Sequence, residues 1–310
     1  MRLGLFSLCL LACGPGPELS DDPGETGTVY VGGDFPDPPA GGWQLANQDL
    51  EVPPYSERQY CLFGTYDGDD AAVVSQIALQ DEAFGHHMTL LATTYTTSEF
   101  PDGTLYDCTE EESLSMLRFS PIFVSGRLEL PDGMGIELKN GTRWILQTHY
   151  INPTGDTVFA SDAMNIGFAA PESIDTWVAS VAHSTLDIDV PPGGEQTSRV
   201  DCAVEQDLEL VWLNSHMHQW GSAFSVDFTP IATGVAERIY EIPEWLPEHR
   251  ADSPSLDLWD DPLHIAAGDR FETTCSWFND TDEPLGFPQE MCVMVAMAWP
   301  LREPITCIDM

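Results

Sequence analysis

The chain has 310 residues, of which 11 are Lys or Arg and 51 are Asp or Glu, for a formal net charge of −40. A surface of that sign repels a phosphate backbone, which excludes nucleic acid as a partner, and suits an exported protein kept soluble by its own charge. Hydrophobic residues make up 43% of the chain, ample for packed cores, while 25 Gly and 24 Pro punctuate short alternating runs. That pattern predicts an all-β protein with many turns, long enough for two domains.

Residues 1–12 carry Arg2 and then an apolar run too short to span a bilayer, as expected of an export signal. Leu10-Leu11-Ala12-Cys13 resembles a bacterial lipobox, which implies cleavage before Cys13 and lipidation of that residue. Several acyl chains would anchor the protein stably to a bacterial membrane, on the periplasmic or cell-surface side, with the lipid as its only membrane contact. Residues 13–42 are rich in Gly, Pro, Asp and Glu and predict a tether. A first folded domain is expected over 43–170 and a second over 171–310, the alternation pausing near Ala169–Ser173.

In the first domain Tyr60–Tyr66 and Ala71–Ala78 read as strands. In Ala83–Leu91 the adjacent His86 and His87 would face opposite sides of a regular strand, so their convergence needs a bulge, which Gly85 permits. Asn140-Gly141 between alternating runs predicts a hairpin turn. Beyond it Ile145, Gln147 and His149 share a face, and His149 is a candidate third imidazole.

In the second domain His183 reads as structural, and His249 and His264 as surface loop residues. Apolar and polar residues alternate over Leu208–Gly221, which places Leu208, Leu210, Trp212, Asn214, His216 and His218 on one face. Two imidazoles two residues apart at a strand end suit one metal ion. In the run Glu290–Pro300, expected to pair with Arg270–Phe278, Met291 starts the face opposite Cys292. Six cysteines remain besides Cys9 and Cys13: Cys61, Cys108, Cys202, Cys275, Cys292 and Cys307. None forms a CxxC pair, and three disulfides are expected rather than a zinc site.

His-His-Met, Thr-His-Tyr, His-x-His and Glu-Met-Cys, in this order over roughly residues 55–310, resemble the copper type II, ascorbate-dependent monooxygenases. That family includes the peptidylglycine α-hydroxylating and dopamine β-hydroxylating enzymes. The resemblance implies two tandem β-sandwich, jelly-roll-like domains with a copper site on each, facing a solvent-filled cleft. His86, His87 and His149 would form the electron-transfer site. His216, His218 and Met291 would form the catalytic site, whose soft thioether favours Cu(I). It also implies the pairs Cys61–Cys108, Cys202–Cys307 and Cys275–Cys292. Two coppers per chain, O₂ and ascorbate or another one-electron reductant would serve the hydroxylation of a small organic molecule. The alternative is a surface lipoprotein that stores or transfers copper without catalysis. Peptide-hydroxylating members have an Arg where this chain has Asn214, and polar or Tyr residues where it has Val293 and Val295. The expected substrate is therefore apolar or aromatic rather than a C-terminal glycine peptide.

Overall fold

The computed structural model describes residues 35–80, 84–109, 119–124, 127–250, 253–287 and 289–309. The expected signal segment, Cys13 and the tether up to residue 34 lie outside the described residues. Among the described residues the regular structure is β-strand apart from two short 3-10 turns, Pro171–Ser173 and Pro247–Arg250. None forms a helix long and apolar enough to cross a membrane.

Regular structure begins at Trp43, where apolar and polar residues start to alternate. In one sheet the strands Trp43–Val52, Val158–Ala169, Ala71–Gln80, Met134–Leu138 and Thr176–Trp177 follow one another, with Arg127–Glu129 beside Ala71–Gln80. A second sheet runs Leu105–Asp107, Ser56–Thr65, Arg143–Asn152, Gly85–Thr93 and Phe119–Val124. Inward-facing residues of both, among them Met164, Ile166, Met88, Leu90, Trp144 and Leu146, form one core. The outer face of the second sheet is partly covered by the segment that follows Gly85–Thr93. Phe100 stacks on Phe63 at 4.1 Å there, over Ile145 and the Cys61–Cys108 disulfide.

The rest of the chain repeats the scheme. One sheet is ordered Leu256–Asp257, Leu208–His216, Cys292–Trp299, Ala179–Thr185 and Ile305–Asp309, with Leu263–Ile265 also on Leu208–His216. It shares a core with the sheet Glu195–Ala203, Arg270–Phe278, Gly221–Thr229 and Glu237–Ile242. Among the described residues no sheet mixes strands from before and after Val178. Thr176–Trp177, placed beyond the boundary expected from the sequence, pairs in parallel with Met134–Gly135 of the first half. The halves meet along an apolar seam, where Val211 and Met297 enter the first core and Trp212, Trp259 and Trp299 pack against it.

The three expected disulfides are present, which points to an oxidising compartment. Two expectations about strand pairing are corrected. Arg270–Phe278 and Cys292–Trp299 are not neighbours but belong to facing sheets, so Cys275–Cys292 crosses the second core. Nor does Asn140-Gly141 close a hairpin. The turn exists, with Gly141 at φ 83°, but it hands the chain from one sheet to the other. Its polar groups bond the Tyr66–Asp70 segment instead: Gly141 N–H donates to Tyr66 O (2.8 Å) and Asn140 N–H to Asp70 Oδ1 (2.8 Å).

Candidate functional site

The first histidines sit on antiparallel strands of the second sheet. Gly85 pairs with Tyr150 and His87 with His149, which leaves His86 as the extra residue of a bulge. Thr148 and Tyr150 are fully buried, turned toward the core. Strict alternation turns His149 to the outer face, and its cross-strand partner His87 lies beside it, with ring centroids 4.8 Å apart. The side chain of His86 lies outside the described residues. Gln80 reaches across from the other sheet, and its Nε2 donates to both His87 O (3.2 Å) and His149 O (3.1 Å).

Glu57 completes this side. Gln59 pairs with His149, so Glu57 is a diagonal neighbour on the same face. Its Oε1 lies 2.6 Å from His149 Nε2. That hydrogen bond holds the Glu57 carboxyl below its ordinary range against the opposite push of burial, helped by the positive fields of Arg250 and His218.

The second pair of histidines ends the strand Leu208–His216. The sequence places His216 and His218 in line with Leu208 and Leu210, and the structure corrects this. The ladder to Cys292–Trp299 shifts between Leu210 and Trp212, and this bulge exchanges the faces. Leu208 and Leu210 join Leu213 and Met217 in the second core. Trp212, Asn214, His216 and His218 turn outward, toward the first half. The apolar row and the histidines are therefore on opposite faces, and only the bulge reconciles them.

Beyond His216 the chain leaves the ladder, and Glu290 holds it. This fully buried carboxylate accepts from the backbone N–H of His218 (3.0 Å) and of Trp220 (2.8 Å), and from Trp277 Nε1 (2.8 Å). Burial pushes its pKa up to about 7 against the pull of these donors. His218 Nδ1 lies 2.9 Å from Gln289 O, and His218 O accepts from Trp245 Nε1 (2.9 Å). Burial pushes the His218 imidazole below its ordinary range. A Cβ on Gly221 would stand 2.7 Å from Met217 Cε and 2.8 Å from Trp245 Cδ1, so the turn after His218 closes only over glycine. The ladder ends at the pair His216–Val293. Met291 comes two residues before Val293, just ahead of the strand Cys292–Trp299.

The two pairs meet. The His216 ring lies 5.1 Å from His218 and 5.8 Å from His87. Val211 and Met297 bury an apolar seam between the halves beside these rings. Among the described residues no three His, Cys, Asp or Glu side chains are gathered closely enough to hold one ion. One expected ligand set includes His86, and the other includes a thioether.

Of the remaining residues, Asn214 is engaged locally, its Nδ2 donating to Ser253 O at 3.0 Å. His183 is buried against Phe271, and burial pushes it down to about 4, so it is neutral as a structural histidine should be. His264 stands on a short strand paired with Glu209, and His249 in a 3-10 turn against Trp245, rather than in open loops. Glu57, Gln80 and Arg250 carried no sequence signal, since each reaches the site through strands or turns distant along the chain. Glu290 lay within the Glu-Met-Cys motif, but its partners could be named only in three dimensions.

The fold and site define an all-β, disulfide-bonded protein with four clustered histidines at the seam between two pairs of sheets. No family model matches the sequence, and no curated protein matches it. Among solved structures the chain is similar to N-glycanase F (PNGase F), at 9% identity and a TM-score of 0.38, covering 85% of this chain and 97% of that one. It is also similar to the STIV MCP, at 10% identity and a TM-score of 0.30, covering 83% and 91%. Likeness at these values carries no argument about activity.

Proposed function

We propose that the chain is a copper-dependent monooxygenase, lipid-anchored through Cys13, that hydroxylates a small organic molecule with O₂ and a reductant such as ascorbate. The observation that supports this reading is the convergence of His87, His149, His216 and His218 from two separate pairs of sheets. The donors suit copper, since imidazole serves both oxidation states and the Met291 thioether favours Cu(I). The surroundings suit it too. Metal-binding imidazoles commonly give their other nitrogen to a carboxylate or a carbonyl, which fixes the ring. His149 Nε2 meets Glu57 and His218 Nδ1 meets Gln289 O in this way. A metal would then meet His149 at Nδ1 and His218 at Nε2.

In the proposed assignment His86, His87 and His149 hold one copper, and His216, His218 and Met291 the other. Copper bound there supplies one-electron transfer and the reduction of O₂, while ascorbate provides the two electrons that the hydroxylation consumes. The protein orients the imidazoles through Glu57, Glu290 and the Gln289 carbonyl, and keeps bulk water out along the apolar seam. The test is copper analysis followed by ascorbate-dependent O₂ uptake with candidate substrates. Two coppers and coupled uptake are expected. Two coppers without uptake would leave copper storage or transfer as the function, and a chain that binds no copper would overturn both readings.

A further inference from the structure

One hairpin tip of this acidic chain is free of charge. Residues 230–236 join the neighbouring strands Gly221–Thr229 and Glu237–Ile242 and include no charged side chain. Ile231 is 65% exposed there and Val235 60%. The adjacent turn, residues 266–268, is also uncharged. Ile231 lies against Gly268, where an added Cβ would stand 2.8 Å from its Cδ1. Taking unpaired peptide groups out of water is costly, and the tip has bonded its own. Gly234 N–H donates to Pro230 O (2.8 Å), and Thr233 N–H to the same oxygen (3.2 Å). Val235 N–H donates to Thr233 Oγ1 (3.3 Å). Ile231 N–H donates to Oδ1 of the buried Asp269 (2.8 Å), whose other oxygen takes Ala266 N–H (2.8 Å). The strand that follows carries exposed Glu237, Arg238 and Glu241, which guard it against pairing with another chain. The tip suits an apolar phase, while the strand beside it resists sheet extension.

We propose that residues 230–236 rest in the interfacial layer of a phospholipid bilayer, as a second membrane contact beside the lipid at Cys13. The proposal goes beyond the copper reading and rests only on its anchor. Residues 14–34, between that anchor and the described chain, reach at most about 70 Å. That exceeds the width of a compact chain of this length, roughly 50 Å. An anchor on such a tether brings a bilayer to every face of the molecule and selects none. Of those faces the uncharged tip meets the least opposition, because the net charge of −40 keeps the rest hydrated and repels anionic lipid. The consequence is orientation. Gly221–Thr229 starts three residues after His218 and runs about 30 Å to the tip. A bilayer at the tip therefore leaves the histidine cluster at the end turned away from lipid, and substrate arrives from solution.

The test uses the full chain on phosphatidylcholine vesicles. The six cysteines of the folded part are disulfide-bonded, so Val235→Cys adds a thiol that takes an environment-sensitive fluorophore. The unaltered chain, treated alike, gives the background. Phe159→Cys, at an apolar residue 63% exposed on the first half, is the control. On vesicles the label at 235 is expected to shift to shorter wavelength. Lipid brominated in its acyl chains should quench it roughly twice as strongly as the label at 159, or more. Ile231→Asp should cut that quenching severalfold, with the thermal midpoint unchanged. No quenching at 235, or equal quenching at both positions, would overturn the proposal and leave the anchor intact. So would a concentration-dependent dimer that Ile231→Asp dissolves, which would assign the tip to a second copy of the chain. The mass of the natural chain reads the lipid independently. A chain without lipid whose 235 label is still selectively quenched by added vesicles would refute the anchor and leave the tip standing.

Discussion

Asp162 offers a direct test of how the first core is built. It lies on Val158–Ala169, fully buried between the sheets, and faces Asn47 and Thr148 without a cation. Burial pushes its pKa up to about 8, against the weaker pull of Asn47 and Thr148. The folded chain thus keeps this proton to about pH 8, while the unfolded chain releases it near 3.8. With the folded pKa raised, the stabilising contribution is full below about pH 4 and is lost as pH rises to about 8. At about 1.4 kcal/mol per pH unit, the loss across that window is about 6 kcal/mol as an upper figure. Asp162→Asn keeps the shape and removes the proton. Urea unfolding of both proteins from pH 5 to pH 9 should show the difference in stability shifting steadily in favour of the variant, which ends as the more stable chain. The subtraction removes the pH dependence shared with the other acidic residues. Parallel stability curves for the two proteins would refute the reasoning.

Three further outcomes are expected. The His183 pKa is lowered to about 4, so its contribution is present above about pH 6.5 and lost on acidification toward 4; His183→Gln should remove that acid-side slope from the unfolding curves. Glu290→Gln weakens the hold on the His218 and Trp220 amides, and equilibrium dialysis should show copper bound roughly tenfold more weakly at the proposed His216–His218–Met291 site, with the other proposed site unchanged. Replacing both Cys275 and Cys292 by Ala removes the bridge across the second core and should lower stability by about 2–5 kcal/mol in chemical denaturation, while the other two bridges remain on peptide mapping.

Much of this protein is determined by local sequence. Alternation at Arg143 and Leu208 specifies strands because each side chain on a pleated chain takes the face opposite its neighbour's. Gly85 before two histidines signals a bulge for the same reason, and an even set of cysteines without a CxxC pair signals disulfides. Which strands pair is a different matter. The Asn140-Gly141 turn is legible, but its donors prefer the Tyr66–Asp70 segment, so the strands it joins enter different sheets. The bulge at Val211 is marked in the sequence only by four apolar residues in a row, Leu210 to Leu213, yet it exchanges the faces and sends His216 and His218 away from the apolar row they extend. Glu57 reaches His149 because their strands pair, and Arg250 and His218 come within electrostatic reach of Glu57 only because the two halves meet along an apolar seam. Local alternation decides what a residue's two faces are made of; only the packing of whole sheets decides what each face meets.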